Sequence, residues 1–230
     1  MRAALEAGLP RLGLTLDDHQ LDQLCAFGEK LIEKNQVMNL TAITDPAAVA
    51  QLHFLDSMTV LLAEDCKQKS VIDVGCGAGF PGVPMVIAEP TVRLTLLDSL
   101  QKRMNWLKEV LPQLGVQAQV EAARAEEYVA NHREQFDIAT SRAVARLNIL
   151  CELCLPYVKV GGCFLALKGA MTREEVEEAQ KAIRTLGGKV EAVREFPVAD
   201  AVHRIVVIRK VSPTPKQYPR KFARIKQTPL

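Results

Sequence analysis

Residues 70–82 run Ser-Val-Ile-Asp-Val-Gly-Cys-Gly-Ala-Gly-Phe-Pro-Gly, an apolar segment broken by closely spaced glycines. Val71, Ile72 and Val74 read as a buried strand, and Gly75, Gly77 and Gly79 let the backbone turn tightly beneath a ligand. A second apolar segment, Arg93 to Leu97, ends in Asp98. An acid at the carboxyl end of the second strand is where nucleotide-binding α/β folds grip an adenosine ribose. Glycine turn and acid together specify a nucleoside-containing cofactor.

Two cofactor classes fit that pattern. Gly77, Gly79 and Gly82 satisfy G-x-G-x-x-G, with Asp98 near the dinucleotide spacing, so a nicotinamide or flavin oxidoreductase is one reading. Three residues favour the other. The strand runs directly into Gly75, which makes Gly75 the first glycine of the turn. Pro81 lacks the backbone N–H that a pyrophosphate at a helix N-terminus would take. Asp73 places an anion at the end of the first strand, which repels phosphate and suits a cation. S-adenosyl-L-methionine carries a sulfonium and an ammonium and no phosphate, and it is the expected cofactor.

The elements that must position these residues follow from periodicity. Leu16, Leu21, Leu24, Phe27 and Leu31 form a helical stripe behind Thr15, the expected N-cap, and Asp45-Pro46 opens a further helix to about Ala63. From residue 70 strand and helix alternate, with strands near 70–74, 92–97, 117–121, 136–140, 161–167, 189–196 and 204–210. Ser99 is the expected cap of a helix to Leu114, and Thr172 with Glu175 the capping box of another to about Leu186. The connection between the last two strands is too short for a helical crossover, so they pair antiparallel. The fold class is therefore α/β: a doubly wound seven-stranded sheet with a terminal antiparallel hairpin, Rossmann-like, as in class I S-adenosylmethionine-dependent methyltransferases. Residues 1–64 form a helical N-terminal extension, 65–211 the cofactor-binding core, and 212–230 a basic tail that Pro213, Pro215, Pro219 and Pro229 keep extended.

The 230 residues are enough for a full core with an extension. The net charge of +2 hides an asymmetry: eight Lys or Arg and no acid follow Ala201, which leaves residues 1–200 with 21 bases against 27 acids. Such a tail suits a polyanion. The six cysteines fit a reduced cytoplasm, and Cys151-x-x-Cys154, with no second pair, reads as helix filling rather than zinc ligation. No signal core and no run of ~18 apolar residues is expected, hence no membrane partner. Low aromatic content points to a monomer.

Several segments resemble one family. They are Val-Ile-Asp-Val-Gly-Cys-Gly-Ala-Gly-Phe-Pro-Gly (71–82), Leu-Leu-Asp-Ser-Leu-Gln-Lys-Arg (96–103), Ser-Arg-Ala (141–143), Ala-Leu-Lys-Gly (166–169) and Tyr-Pro-Arg-Lys (218–221). With Asn-Leu-Thr (39–41) and His-Phe-Leu-Asp-Ser (53–57) they resemble, in order along nearly the whole chain, the glucose-inhibited division protein B family, small-subunit ribosomal RNA methyltransferases G. The resemblance implies methylation of N7 of one guanine in 16S ribosomal RNA, as free RNA or in the small ribosomal subunit. It also implies cofactor contacts from Gly75 and Phe80, adenine contacts from Ala125 and Glu126, and a place for Arg142 at the pocket border. Two departures stand out: Cys76 where the family often has Thr, and Phe222-Ala223-Arg224-Ile225 in place of a Gly-Pro stretch.

Guanine N7 carries a free lone pair at neutral pH, so transfer from a sulfonium needs in-line approach and no base; no catalytic side chain is assigned. Asp98 is expected to accept from the ribose hydroxyls, Glu126 from adenine, and Asp73 to orient the cofactor unless it only caps backbone amides. Arg142 steadies a carboxylate or phosphate, or forms a surface ion pair. Lys168, Arg204, Arg220, Lys221 and Arg224 are the expected RNA contacts, with Lys216 and Lys226 alongside and Tyr218 and Phe222 available to stack on bases. His53, among apolar residues, reads as a packing histidine, and no metal-ligand spacing is present.

Overall fold

Strands β1 (Ser70–Val74), β2 (Arg93–Asp98), β3 (Gln119–Ala122), β4 (Phe136–Arg142), β5 (Val158–Lys168), β6 (Gly188–Val198) and β7 (Ala201–Lys210) form one sheet. Their order is β3-β2-β1-β4-β5-β7-β6 in the computed structural model, which describes residues 1–142, 145–169 and 172–230. Only β7 runs against its neighbours. The antiparallel pairing is tighter than expected: Val198 faces Ala201 across a two-residue turn in which Ala199 takes φ 52°.

The sheet is covered on both sides, which is why its inner strands read as continuous apolar runs. Val71 points into one core cluster and its neighbour Ile72 into the other. The first cluster packs α1 (Arg2–Leu12), α2 (Asp18–Met38), α3 (Pro46–Ala63), α4 (Gly82–Ala88) and α5 (Gln101–Gln113). The second packs α6 (Ala125–Tyr128), α7 (Leu147–Cys154), α8 (Thr172–Thr185) and the C-terminal α9 (Phe222–Gln227). Cys151 and Cys154 are fully buried in α7.

Several local expectations are corrected. Asp17, not Thr15, caps α2, in a capping box with Gln20, although Leu21, Leu24, Phe27 and Leu31 are buried as the stripe requires. Leu100 rather than Ser99 precedes α5, and no side chain caps that helix. Thr172 is the first residue of α8 and donates to the Gly169 carbonyl, while Glu175 accepts from Leu147 N and pairs with Lys168. Asp45 does cap α3, accepting from Ala48 N at 2.8 Å with Pro46 in the first turn. The 18 residues of α3 have mean hydropathy 1.2, long and apolar enough by composition to cross a membrane, where inspection expected no such run. More than half of that run is buried inside this protein, and Phe54 and Met58 are fully covered.

The tail is not simply extended. Buried Lys210, at the end of β7, donates to Glu134, to the carbonyls of Leu155 and Val158, and to the Thr214 hydroxyl. Thr214 N donates to Glu134 and its hydroxyl to Leu186 O. The chain then crosses α7 and coils into α9, whose Ile225 is fully buried. The start of this path depends on Gly187, at φ 83°, whose carbonyl accepts from Val211 N and Ser212 N. A Cβ there would lie 2.1 Å from the Ser212 carbonyl oxygen. Gly187→Ala is therefore expected to destabilise by at least ~2 kcal/mol in urea unfolding. The control Gly13→Ala, at φ 69° with open space around it, should cost only about 1 kcal/mol. Equal effects would show that strain alone matters at Gly187.

Candidate active site

The carboxyl ends of β1, β2 and β4 frame a crevice, the edge where open parallel sheets bind ligands. At its centre the loop after β1 carries Gly75, Gly77 and Gly79, all at positive φ. Gly79, at φ 97°, has no room for a side chain, since a Cβ would meet Val83 Cγ2 at 2.6 Å. The loop is tied to β2 from both sides. Gly75 N donates to Leu97 O at 2.7 Å, and Gly77 N donates to Asp98 Oδ2 at 3.0 Å.

Asp98 also accepts from Leu100 N through Oδ1 at 2.8 Å, so it, and not Ser99, organises the turn into α5. Each oxygen of an ionised carboxylate has two lone-pair sites. Each here has taken one backbone donor, which leaves one on each oxygen for a vicinal diol. Asp73 is fully buried beneath the loop. Its Oδ2 accepts from Gly82 N at 2.8 Å, while Oδ1 is buried with no partner. Burial pushes the Asp73 carboxyl up to about 7, against the opposing pull of the Gly82 N–H and Arg142.

Gly75, Asp98, Ala125 and Glu126 line one cavity of about 150 Å³, together with Arg124 and Phe222. That is smaller than the ~300–1,000 Å³ of a whole-ligand pocket, so it accommodates one end of a ligand. The free lone pairs of Asp98 and this cavity, with the orphaned Asp73 oxygen buried under the loop outside its lining, fit a cationic nucleoside such as S-adenosyl-L-methionine. A dinucleotide fits less well: Pro81 has no N–H, and Gly82 N at the start of α4 is already given to a carboxylate. A larger cavity of about 1,000 Å³ lies at the opposite, amino-terminal edge of the sheet, lined by Ser70, Arg93 and Gln119, away from these groups.

Phe80 and Arg142, expected at the cofactor, line neither of these cavities. Phe80 is buried, with the His53 ring stacked on it at 4.6 Å and the Arg142 guanidinium over its face at 4.9 Å. Arg142 donates to Asp56 Oδ2 at 3.0 Å and to Leu52 O at 3.3 Å, and contacts His53 Nδ1 at 3.1 Å. Asp56 also holds His203 Nδ1 at 2.6 Å, and His53 Nε2 meets Thr41 Oγ1 at 2.8 Å. The ion pair of Arg142 is thus buried rather than superficial. Burial and Arg142 pull His53 down to about 4, while the Asp56 hydrogen bond raises His203. Sequence reading gave His53 only packing and missed the network of Thr41, His53, Arg142, Asp56 and His203. Its members come from four separate segments, although three of the quoted family segments, 39–41, 53–57 and 141–143, contain four of them. The π-helical turn Ala50–Leu55 that presents His53 and Leu52 has no signature in the residues.

Of the expected RNA contacts, three are paired within the protein. Lys168 is nearly covered, bound to Glu175 at 2.7 Å and to Ala145 O. Arg204 pairs with Glu195 at 2.8 Å, and Arg220 with the buried Glu152 at 2.6 Å. Lys221 and Arg224 are exposed, as are Lys216 and Lys226, and none has a salt bridge among the described residues. Residue 143 of the 141–143 segment lies outside the described residues. No group of three potential metal ligands occurs among them.

Sheet order and crevice define a class I S-adenosylmethionine-dependent methyltransferase fold. A solved methyltransferase of that kind from Aquifex aeolicus superposes with TM-score 0.53 at 18% identity, covering 71% of this chain and 93% of its own. A Thermotoga maritima O-methyltransferase gives 0.54 at 16%, covering 81% and 73%. The family is more particular. Residues 20–203 match the GidB family, rRNA small subunit methyltransferase G. Two curated relatives bear the name ribosomal RNA small subunit methyltransferase G. The one from Alkaliphilus metalliredigens is 47% identical over 223 residues, 94% of this chain and 93% of its own. The one from Acetivibrio thermocellus is 45% identical over 235 residues, 100% and 97%. The chain belongs to the GidB family.

Asp73 gives this site a pH signature. Its folded pKa is raised from 3.8 to about 7, so the folded state binds the extra proton. The stability this contributes is complete below about 4 and is lost as pH rises through 7. Relative to Asp73→Asn, the wild type should lose stability between about pH 4 and pH 7, at up to ~1.4 kcal/mol per pH unit. Urea midpoints of both proteins across that range measure it, with His53 and His203 cancelling in the difference. A difference that rises with pH would mean the carboxylate is stabilised where it lies.

Proposed function

We infer that this chain transfers the methyl group of S-adenosyl-L-methionine to N7 of a guanine in 16S ribosomal RNA. The observation that carries the reading is the crevice at the strand ends, where Asp98 keeps two lone pairs and Asp73 an orphaned oxygen, in a chain of the GidB family. The cofactor supplies an electrophilic methyl on a sulfonium. Gly75 permits close backbone approach, Asp98 accepts from the ribose hydroxyls, and Ala125 and Glu126 border the adenine. Asp73 favours a cation above the loop, and a cation in turn lowers its pKa toward the charged form. Arg142, fixed by Asp56 and Leu52 O, sets the position of Phe80 at the far side. No side chain is required as a base, since N7 has a free lone pair; the protein's task is to hold N7 in line and exclude water.

Residues 1–64 serve as the helical extension, 65–211 as the catalytic core and 212–230 as the basic tail. Lys221 and Arg224, with Lys216 and Lys226, are assigned to RNA phosphate, because they are the tail cations left unpaired. The enzyme acts as a cytoplasmic monomer on free RNA or on the small subunit.

The decisive assay is transfer of labelled methyl from S-adenosyl-L-methionine to small-subunit RNA from cells lacking this protein, followed by mapping of the base. Label at N7 of a single guanine is expected; no transfer to naked RNA or to intact subunits would overturn the reading. Asp98→Asn should weaken S-adenosyl-L-methionine binding about tenfold or more and leave RNA affinity within about twofold. The double variant Lys221→Glu, Arg224→Glu should do the reverse, lowering RNA affinity and making the slope of log K against log salt shallower by about two. An unchanged slope would remove these two residues from the interface.

A further inference from the structure

We propose that Phe222 is a cofactor-binding residue: its ring closes the adenine end of the pocket, and the Glu152–Arg220 pair holds it there. The inference rests on the reading that this cavity takes the adenosine of S-adenosyl-L-methionine. Three walls of the cavity come from the sheet's own loops, through Gly75, Asp98 and Ala125. Phe222 comes from the other end of the chain. A second cavity of about 600 Å³ lies beyond it, lined by Arg124, Glu126, Lys221 and Phe222 among others. Arg124, Glu126 and Phe222 line both spaces and form the partition between them. Of these three, only Phe222 offers an aromatic face to a purine.

The segment that carries Phe222 is fastened on both sides. Two residues before it, Arg220 binds the fully buried Glu152 of α7 through Nε at 2.9 Å and its terminal nitrogen at 2.6 Å, and its backbone N–H adds a third bond at 2.8 Å. A bidentate pair fixes direction as well as distance. Further back, Arg133 donates to the Tyr218 carbonyl. Three residues after Phe222, Ile225 is fully buried in the second core cluster. Between these two anchors the Phe222 ring is only half-buried and faces the cavity next to Leu153. The tail is therefore held as a strap, with one aromatic side chain presented to the ligand.

A base stacked on an aromatic ring loses that contact when the ring is removed, which should weaken binding about tenfold. Calorimetric titration of the full chain with S-adenosyl-L-homocysteine, and separately with adenosine, tests this. For Phe222→Ala both dissociation constants should rise about tenfold with unchanged stoichiometry, and Phe222→Tyr should restore them to within about twofold of wild type. Glu152→Gln, which loosens the strap and keeps the ring, should give an intermediate rise. If wild type binds and Phe222→Ala binds equally well, the role assigned to Phe222 falls and the cofactor reading stands. If Phe222→Ala lowers the stoichiometry at an unchanged dissociation constant, the ring serves folding alone and the proposal is again overturned. If wild type binds neither ligand, the cofactor reading itself fails.

Discussion

A buried carboxylate determines how this crevice can be used. Asp73 Oδ2 takes the Gly82 N–H at the head of α4, and Pro81 has none to offer. The helix N-terminus, which in a dinucleotide fold receives a pyrophosphate, is here neutralised from within. The orphaned Asp73 oxygen stays buried beneath the loop, where burial pushes the carboxyl up to about 7. The same carboxylate sets the close packing of its surroundings, since a Cβ at Gly82 would lie 3.0 Å from Asp73 Oδ2 and 2.6 Å from Leu96 Cδ2. The need for glycine at position 82 and the closed head of α4 therefore follow from one side chain of β1 and its neighbour Leu96.

The helical extension is joined to that crevice through Arg142. The guanidinium leaves the carboxyl end of β4, crosses the Phe80 ring, and ends on Asp56, Leu52 O and His53, all from α3. His203, from β7, closes the network on the other oxygen of Asp56. A buried arginine with fewer partners would be costly, and a buried Asp56 without Arg142 equally so. The extension and the glycine loop are consequently positioned together, although no residue of α3 lines the cavity of Gly75, Asp98, Ala125 and Glu126.

What was legible in the sequence was the part encoded by local pattern. The seven strands, their alternation with helices and the antiparallel last pair follow from apolar runs and loop lengths, and all seven are where those runs place them. Gly75, Asp98, Ala125 and Glu126 converge on one cavity because each sits at, or within four residues beyond, the carboxyl end of a parallel strand, and strand ends can be read from sequence. Caps were less legible: Thr15 and Ser99 are sound N-cap residue types, but Asp17 caps α2, and α5 has no side-chain cap, Asp98 Oδ1 holding only the Leu100 N–H that precedes it. The pairing of Lys168, Arg204 and Arg220 was illegible for a different reason. Each depends on an acid brought close only by folding, and Glu152 lies 68 residues from Arg220.

That last pairing divides the charge of the tail into two kinds. Counting bases after Ala201 gives one uniform positive segment, yet Arg204 and Arg209 pair with acids of the hairpin and with Glu64 just after α3, and of the other six Lys210 and Arg220 are held inside the protein. The first holds Glu134 and the carbonyls of Leu155 and Val158; the second satisfies an otherwise unpaired buried carboxylate. Their partners are fixed, so these two cations contribute geometry and little long-range potential. Lys216, Lys221, Arg224 and Lys226 remain exposed to solvent, and theirs is the part of the tail's charge whose field reaches beyond the surface. A basic tail can thus serve as strap and as electrostatic contact at once, because burial of its acid partners, and not its own sequence, decides which residue does which.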